Sequence, residues 1–192
     1  MRRRGPIAVV LAGGVGRRIG GDKATVELDG RPLLHYPLAT LRAAFDDVAV
    51  VAKHATALPS LDPDVPVWRE PDEHHHPLVG VLYALSCAGR RPVVVVAADM
   101  PFVTRALVTA LARERARGAP AVVPRAAGRL QPLCARYDPP ALAALAGFDP
   151  SARAQDVVAA IGPRVLDWPD DEPFFNVNAP EDLLQASALL GR

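Results

Sequence analysis

Residues 6–23 read PIAVVLAGGVGRRIGGDK. Pro6 to Ala12 form an apolar run of strand length, and the glycines that follow stop it. Runs of this kind, without the alternation of a half-exposed strand, suit parallel strands buried on both faces. The type returns at Asp47 to Lys53 (DVAVVAK) and at Pro92 to Ala98 (PVVVVAA). Between these runs lie helical patterns at Leu33 to Phe45, Leu78 to Ala88 and Arg105 to Arg117. Thr104 precedes the last of them as a suitable N-cap. Strand and helix in alternation predict an α/β fold built on a doubly wound, mostly parallel sheet with helices on both faces. Ala121 to Arg125 and Gln131 to Tyr137 predict an antiparallel excursion near residues 121–137, joined across Ala127-Gly128. A final helix is expected after Pro180, with Glu181 and Asp182 in its first turn, where the helix dipole favours acids.

The chain has 192 residues, half of them hydrophobic, so one domain with a substantial core is expected and general disorder is excluded. Its 20 prolines are scattered as punctuation between elements. Lys plus Arg number 22 against 21 Asp plus Glu, a balance that argues against a duplex-binding protein held by excess basic charge. Apolar runs such as Pro92 to Ala98 fall far short of the roughly 20 residues a membrane span needs. The opening Met1-Arg2-Arg3-Arg4 looks like the start of a leader, but the apolar segment after it runs into Gly13-Gly14, Arg17 and Arg18 without a cleavage site. A cytoplasmic location is expected. Cys87 and Cys134 lie far apart without metal or redox spacing and read as small buried thiols in a reducing compartment.

Open α/β sheets bind ligands beyond the carboxyl ends of their strands, which points to the turns after Ala12, after Ala98 and around Pro77 to Gly80. The first of these turns is the richest. Gly13, Gly14, Gly16, Gly20 and Gly21 allow close approach of backbone amides to an anion, and Arg17, Arg18 and Lys23 add charged donors. Up to Thr25 the chain carries six Lys or Arg against Asp22 alone, a cationic segment suited to a triphosphate. Two familiar phosphate motifs fail. Asp22 separates Gly21 from Lys23 and Ala24 follows, so this is no Walker loop, and the third glycine of a dinucleotide fingerprint would fall on Ile19. Asp99 follows the most apolar strand, where a buried carboxylate needs a partner. A bound Mg²⁺ would supply one; the alternative is a cap on the helix that starts near Thr104.

The run Leu11-Ala12-Gly13-Gly14, then Arg17, Gly20, Asp22-Lys23 and Gly30-Arg31-Pro32-Leu33, resembles the start of nucleotidyltransferases of the sugar-nucleotide type, and specifically the molybdenum cofactor guanylyltransferases. The resemblance recurs at Pro77-Leu78-Val79-Gly80, at Asp99-Met100-Pro101-Phe102, at Gln131-Pro132-Leu133 and at Phe175-Asn176-Val177-Asn178-Ala179-Pro180-Glu181-Asp182-Leu183. Two residues depart from it: His76 replaces the glycine before Pro77, and Val79 replaces an alanine. The fold implied is a single Rossmann-like domain over residues 1–192, with a nucleotide-binding part at about 1–105 and an acceptor-binding part at about 106–192. The activity implied is transfer of GMP from GTP to the terminal phosphate of molybdopterin, with Mg²⁺ and release of pyrophosphate. GTP and molybdopterin or molybdenum cofactor would be the substrates, with transient contact to molybdoenzymes and cofactor-synthesis proteins, and the chain would act as a monomer. Guanine is favoured over cytosine because the sister cytidylyltransferases generally show Leu-Ala-Ala-Gly at the first turn, and the missing methyl at Gly13 leaves room for a purine edge.

Carried over residue by residue, Leu11, Ala12, Gly13, Gly14 and Gly16 would cradle the nucleotide, Arg17 the β- and γ-phosphates and Lys23 the α-phosphate. Pro77, Leu78 and Gly80 would line the base side, and Asp99 would hold the metal. Asp72 is a weaker nucleotide candidate, nearly balanced by a solvated loop acid, and solvation of the loop is favoured for Arg18. Asn176 and Asn178 alternate as residues on one face do and would meet the acceptor, with an Asx turn before Pro180 as the equal alternative for Asn178. Gln131 is a second acceptor candidate. His74-His75-His76 is declined as a metal cluster, because three adjacent loop residues cannot converge on one ion. Competing readings are a related transferase that uses CTP or another phosphate acceptor, such as phospholactate or a sugar phosphate, and a non-catalytic nucleotide-binding regulator or cofactor chaperone.

Overall fold

A computed structural model describes residues 5–16, 21–71 and 76–191. Eight strands form one sheet: β1 (Ile7–Leu11), β2 (Val48–Lys53), β3 (Val67–Glu70), β4 (Val93–Ala97), β5 (Ala121–Ala126), β6 (Arg129–Leu130), β7 (Cys134–Tyr137) and β8 (Arg164–Asp167). The parallel pairs are β4 with β1, β1 with β2, β2 with β3, and β5 with β8. β7 inserts antiparallel between β4 and β5. The helices are α1 (His35–Arg42), α2 (Pro77–Ala88), α3 (Arg105–Arg113), α4 (Ala141–Ala144), α5 (Ala154–Ala160) and α6 (Pro180–Leu190). The α/β reading of the sequence holds.

Alternate residues of the central strands feed two cores. Ala8 and Val10 face a layer with Leu38 and Leu41 of α1 and Leu107, Val108 and Leu111 of α3. Val9 and Val51 face Leu78, Val81 and Leu85 of α2, with Ala141 of α4 and Val158 of α5. Every residue of β4 is buried, which is why its sequence lacks alternation. A third cluster joins Leu28 and Leu33 to Val177 and Ala186, and so docks α6 and the segment before it.

Several boundaries differ from those expected. α1 starts at His35 because the Leu33 amide donates to the Val26 carbonyl, which holds that residue in the preceding loop. α3 ends at Arg113, not Arg117, since Glu114 turns to φ −59°, ψ 136° and the Arg136 guanidinium caps the carbonyls of Ala112 and Glu114 at 3.2 and 2.9 Å. The hairpin across Ala127 (φ 45°) and Gly128 (φ 74°) has the left-handed pair that two-residue turns require. Its return strand is interrupted at Gln131–Leu133, where Pro132 has no amide to donate, and resumes at Cys134. Cys134 is buried as expected, but Cys87 is exposed on α2. Among the described residues no helix is long and apolar enough to cross a membrane.

Candidate active site

The chain passes from β1 outward to β2 and β3, then returns to place β4 on the other side of β1. At such a switch point the connections leave in opposite directions and a crevice opens beyond the strand ends. Here it is a cavity of about 560 Å³, within the range of ordinary ligand sites. Leu11, Ala12, Gly13 and Gly14 line it from the end of β1, and Ala97, Ala98 and Asp99 from the end of β4. Pro77 and Gly80 contribute from the start of α2, and Leu133, Asn176 and Asn178 from the second half of the chain. The two strand ends are stitched together, since the Ala98 amide donates to the Leu11 carbonyl at 3.0 Å.

Three of the residues singled out in the sequence converge on one point. Lys23 Nζ donates to Asp99 Oδ2 at 2.6 Å and to Asn178 Oδ1 at 2.5 Å. Asp99 is itself held from below, because the Val177 amide donates to its carbonyl at 2.9 Å. Its second carboxylate oxygen, Oδ1, is buried and has no hydrogen-bond partner among the described residues. An anionic oxygen left so is costly and fits a hard cation. Asp99 does not cap α3, for Thr104 does: its Oγ1 accepts from the Leu107 amide at 3.2 Å. Nor does Asn178 cap α6, where the Asp182 carboxylate accepts from the amides of Asn178 (2.7 Å) and Ala179 (2.9 Å). Asn176 turns its Nδ2 onto the Phe174 carbonyl at 2.7 Å while lining the cavity.

The remaining candidates are distributed as follows. Leu78 is fully buried under α2 and not among the residues that line the cavity. Gln131 lies in the break between β6 and β7, and Leu133, two residues on, reaches the cavity in its place. Gly16 pairs with Gly21 in a short antiparallel ribbon. Arg17, Arg18, Asp72, His74 and His75 lie outside the described residues.

Two wall residues went unassigned in the sequence. Lys53 ends β2 and Glu70 ends β3, both nearly inaccessible, and their charges approach to 3.7 Å. A Cβ on Gly13 would stand 2.9 Å from Glu70 Oε1, and one on Gly80 would stand 3.5 Å from Glu70 Oε2. The room that the missing methyl of Gly13 provides is therefore taken by a carboxylate. The available signal was positional: both residues terminate strands at the ligand-binding edge, as Asp99 follows one.

A mixed, mostly parallel sheet that opens at its switch point between a glycine turn and a lysine–aspartate pair is the architecture of an α/β nucleotidyltransferase. Residues 8–186 match the MobA-like NTP transferase domain, and the chain belongs to that family. It is 37% identical over 189 residues to a molybdenum cofactor guanylyltransferase of Cereibacter sphaeroides, covering 95% of each chain. It is also 37% identical over 203 residues to the molybdenum cofactor guanylyltransferase of Rhodopseudomonas palustris, covering 97% of this chain and 93% of the relative. In fold it is similar to the molybdopterin-guanine dinucleotide biosynthesis protein A of Archaeoglobus fulgidus, with a TM-score of 0.74 and 24% identity over 96% of this chain and 98% of that one.

Proposed function

We propose that this nucleotidyltransferase moves GMP from GTP to the terminal phosphate of molybdopterin. A phosphate oxygen of the acceptor attacks the α-phosphorus, the bond between that phosphorus and the α,β-bridging oxygen breaks, and pyrophosphate leaves. The observation that carries the reading is the pairing of Lys23 with Asp99 at the mouth of a switch-point cavity, in a chain whose relatives bear that name. In phosphoryl-type transfer the protein contributes mainly position and charge. Lys23 would bear on the α-phosphate, the amides of Gly13 and Gly14 on the outer phosphates, with Arg17 beside them, and Asn178 would keep the Lys23 ammonium aimed. Asp99 would hold Mg²⁺, which when bound neutralises phosphate charge. The buried Oδ1 of Asp99, without a partner among the described residues, would take the ion together with phosphate oxygens and water.

Glu70 and Lys53 would read the base. Guanine offers two adjacent N–H donors and one carbonyl acceptor, which match a carboxylate and an ammonium side by side; cytosine offers one donor and two acceptors. Asn176 and Leu133 would face the acceptor from the second half of the chain, with Gln131 behind them. The protein would act in the cytoplasm as a monomer, in transient contact with molybdoenzymes and cofactor-synthesis proteins. The test is pyrophosphate release from each of the four nucleoside triphosphates with Mg²⁺ and metal-loaded molybdopterin. GTP alone should turn over, and Lys23→Ala should lower kcat by about 10² to 10³. Turnover with CTP alone would sink the guanine assignment, and binding without turnover would favour a regulator.

A further inference from the structure

His76 stands where the resembling family carries a glycine, and both of its ring nitrogens are in use. Nδ1 lies 3.2 Å from the Leu78 amide nitrogen, which can only donate, so Nδ1 accepts. Nε2 lies 3.1 Å from the Ala152 carbonyl oxygen, which can only accept, so Nε2 carries a proton. The ring is thus held in one tautomer, and Phe148 packs on it at 4.5 Å between centroids. With φ −83° and ψ 133°, His76 has the extended backbone of an N-cap, and Pro77 follows at the first helical position. The turn it reaches is organised on its own account, since the Asp149 carboxylate takes both the amide and the hydroxyl of Ser151 at 2.8 Å.

One side chain therefore satisfies a free amide at the start of α2 and ties that start to residues 148–152. Pro77 and Gly80 of the first turn of α2 line the cavity, and His76 itself stands in its wall. The turn brings Gly80 so close that a Cβ there would meet Leu11 at 3.4 Å and the Glu70 carboxylate at 3.5 Å. We infer that His76 is a positioning residue for the nucleotide, a cap and tether that fixes the α2 wall against Glu70 without acting on the Lys23–Asp99 pair. The inference rests on the proposed transfer only for its kinetic reading.

Two variants separate the parts of the device. His76→Phe keeps an aromatic ring against Phe148 and loses both hydrogen bonds; His76→Asn restores a cap acceptor. Calorimetric titration with whichever of GTP, ATP, CTP and UTP the unaltered protein binds most tightly should show affinity about fivefold weaker for His76→Phe, the size of one lost cap. Its KM should rise in step while kcat stays within about twofold, and His76→Asn should recover most of the loss. Amide hydrogen exchange at Leu78 should accelerate in His76→Phe and slow again in His76→Asn. Unchanged exchange at Leu78, unchanged affinity, a kcat loss without a KM change, or an asparagine variant no better than phenylalanine would each overturn the inference. An unaltered protein without turnover would overturn the proposed transfer instead and leave the exchange and affinity measurements decisive for His76.

Discussion

A methyl group on Gly13 would stand 2.9 Å from Glu70 Oε1 and 3.4 Å from Lys53 Cγ. No Cβ tolerates the first distance, and Glu70, buried beside Lys53, lines the open cavity into which its carboxylate can be displaced. Gly13→Ala should therefore push the carboxylate off its position, and the ratio of kcat/KM for GTP over CTP should fall at least about tenfold, the order of one displaced charged hydrogen bond. An unchanged ratio would mean that Glu70 does not read the base. Lys23 and Asp99 were legible in the sequence because motif and strand end agree there. Glu70 was not, because its strand is hard to read and its contact with Gly13 joins residues distant in sequence. The two thiols make a second test at this scale. Burial pushes the Cys134 thiol up to about 12, and burial also raises that of Cys87, although Tyr83 donates a hydrogen bond that works the other way. The thiolate is the nucleophile, so iodoacetamide should label exposed Cys87 faster as pH rises, with the rise displaced to the alkaline side of an ordinary thiol. Cys134 should stay unlabelled until the protein is unfolded, and mass spectrometry of native and denatured samples decides it.

Helix ends were legible where a side chain does the capping. Thr104 precedes α3 in the sequence as a cap should, and its hydroxyl accepts from the Leu107 amide. Thr104→Ala should cost about 1 kcal/mol, measured as a lower urea midpoint at unchanged slope, while Thr104→Ser should retain most of the stability. A null effect for alanine would show that water replaces the hydroxyl at no cost. The central strands were legible because burial on both faces leaves an unbroken apolar run. β3 and β8 were not, since each pairs with only one strand among the described residues and has a short sequence, VWRE and RVLD, that mixes apolar and charged residues. Such a segment shows neither a run nor a clean alternation. Missing β3 concealed Glu70 at its end, whereas Lys53 ends a strand that was legible.

The insertion of β7 between β4 and β5 joins the first and second halves of the chain in one continuous sheet, and Val177 and Asn178 return across the switch point to Asp99 and Lys23. We propose on this ground that residues 1–192 unfold as one domain. The chain holds two tryptophans placed to test this. Trp68 lies in β3 at one side of the sheet and packs on the α2 layer, whereas Trp168 follows β8, donates its amide to the Arg125 carbonyl at 2.9 Å and packs on the α3 layer. Trp68→Phe leaves a fluorophore in the second half of the chain alone, and Trp168→Phe leaves one in the first half alone. Each substitution shifts stability by itself, so the comparison is made within each variant between its fluorescence and its far-UV circular dichroism. Coincident urea transitions in both variants are expected of an all-or-none sheet. A fluorescence midpoint that departs from the circular dichroism midpoint in opposite senses in the two variants would show two separately folding halves, with β7 as the seam between them.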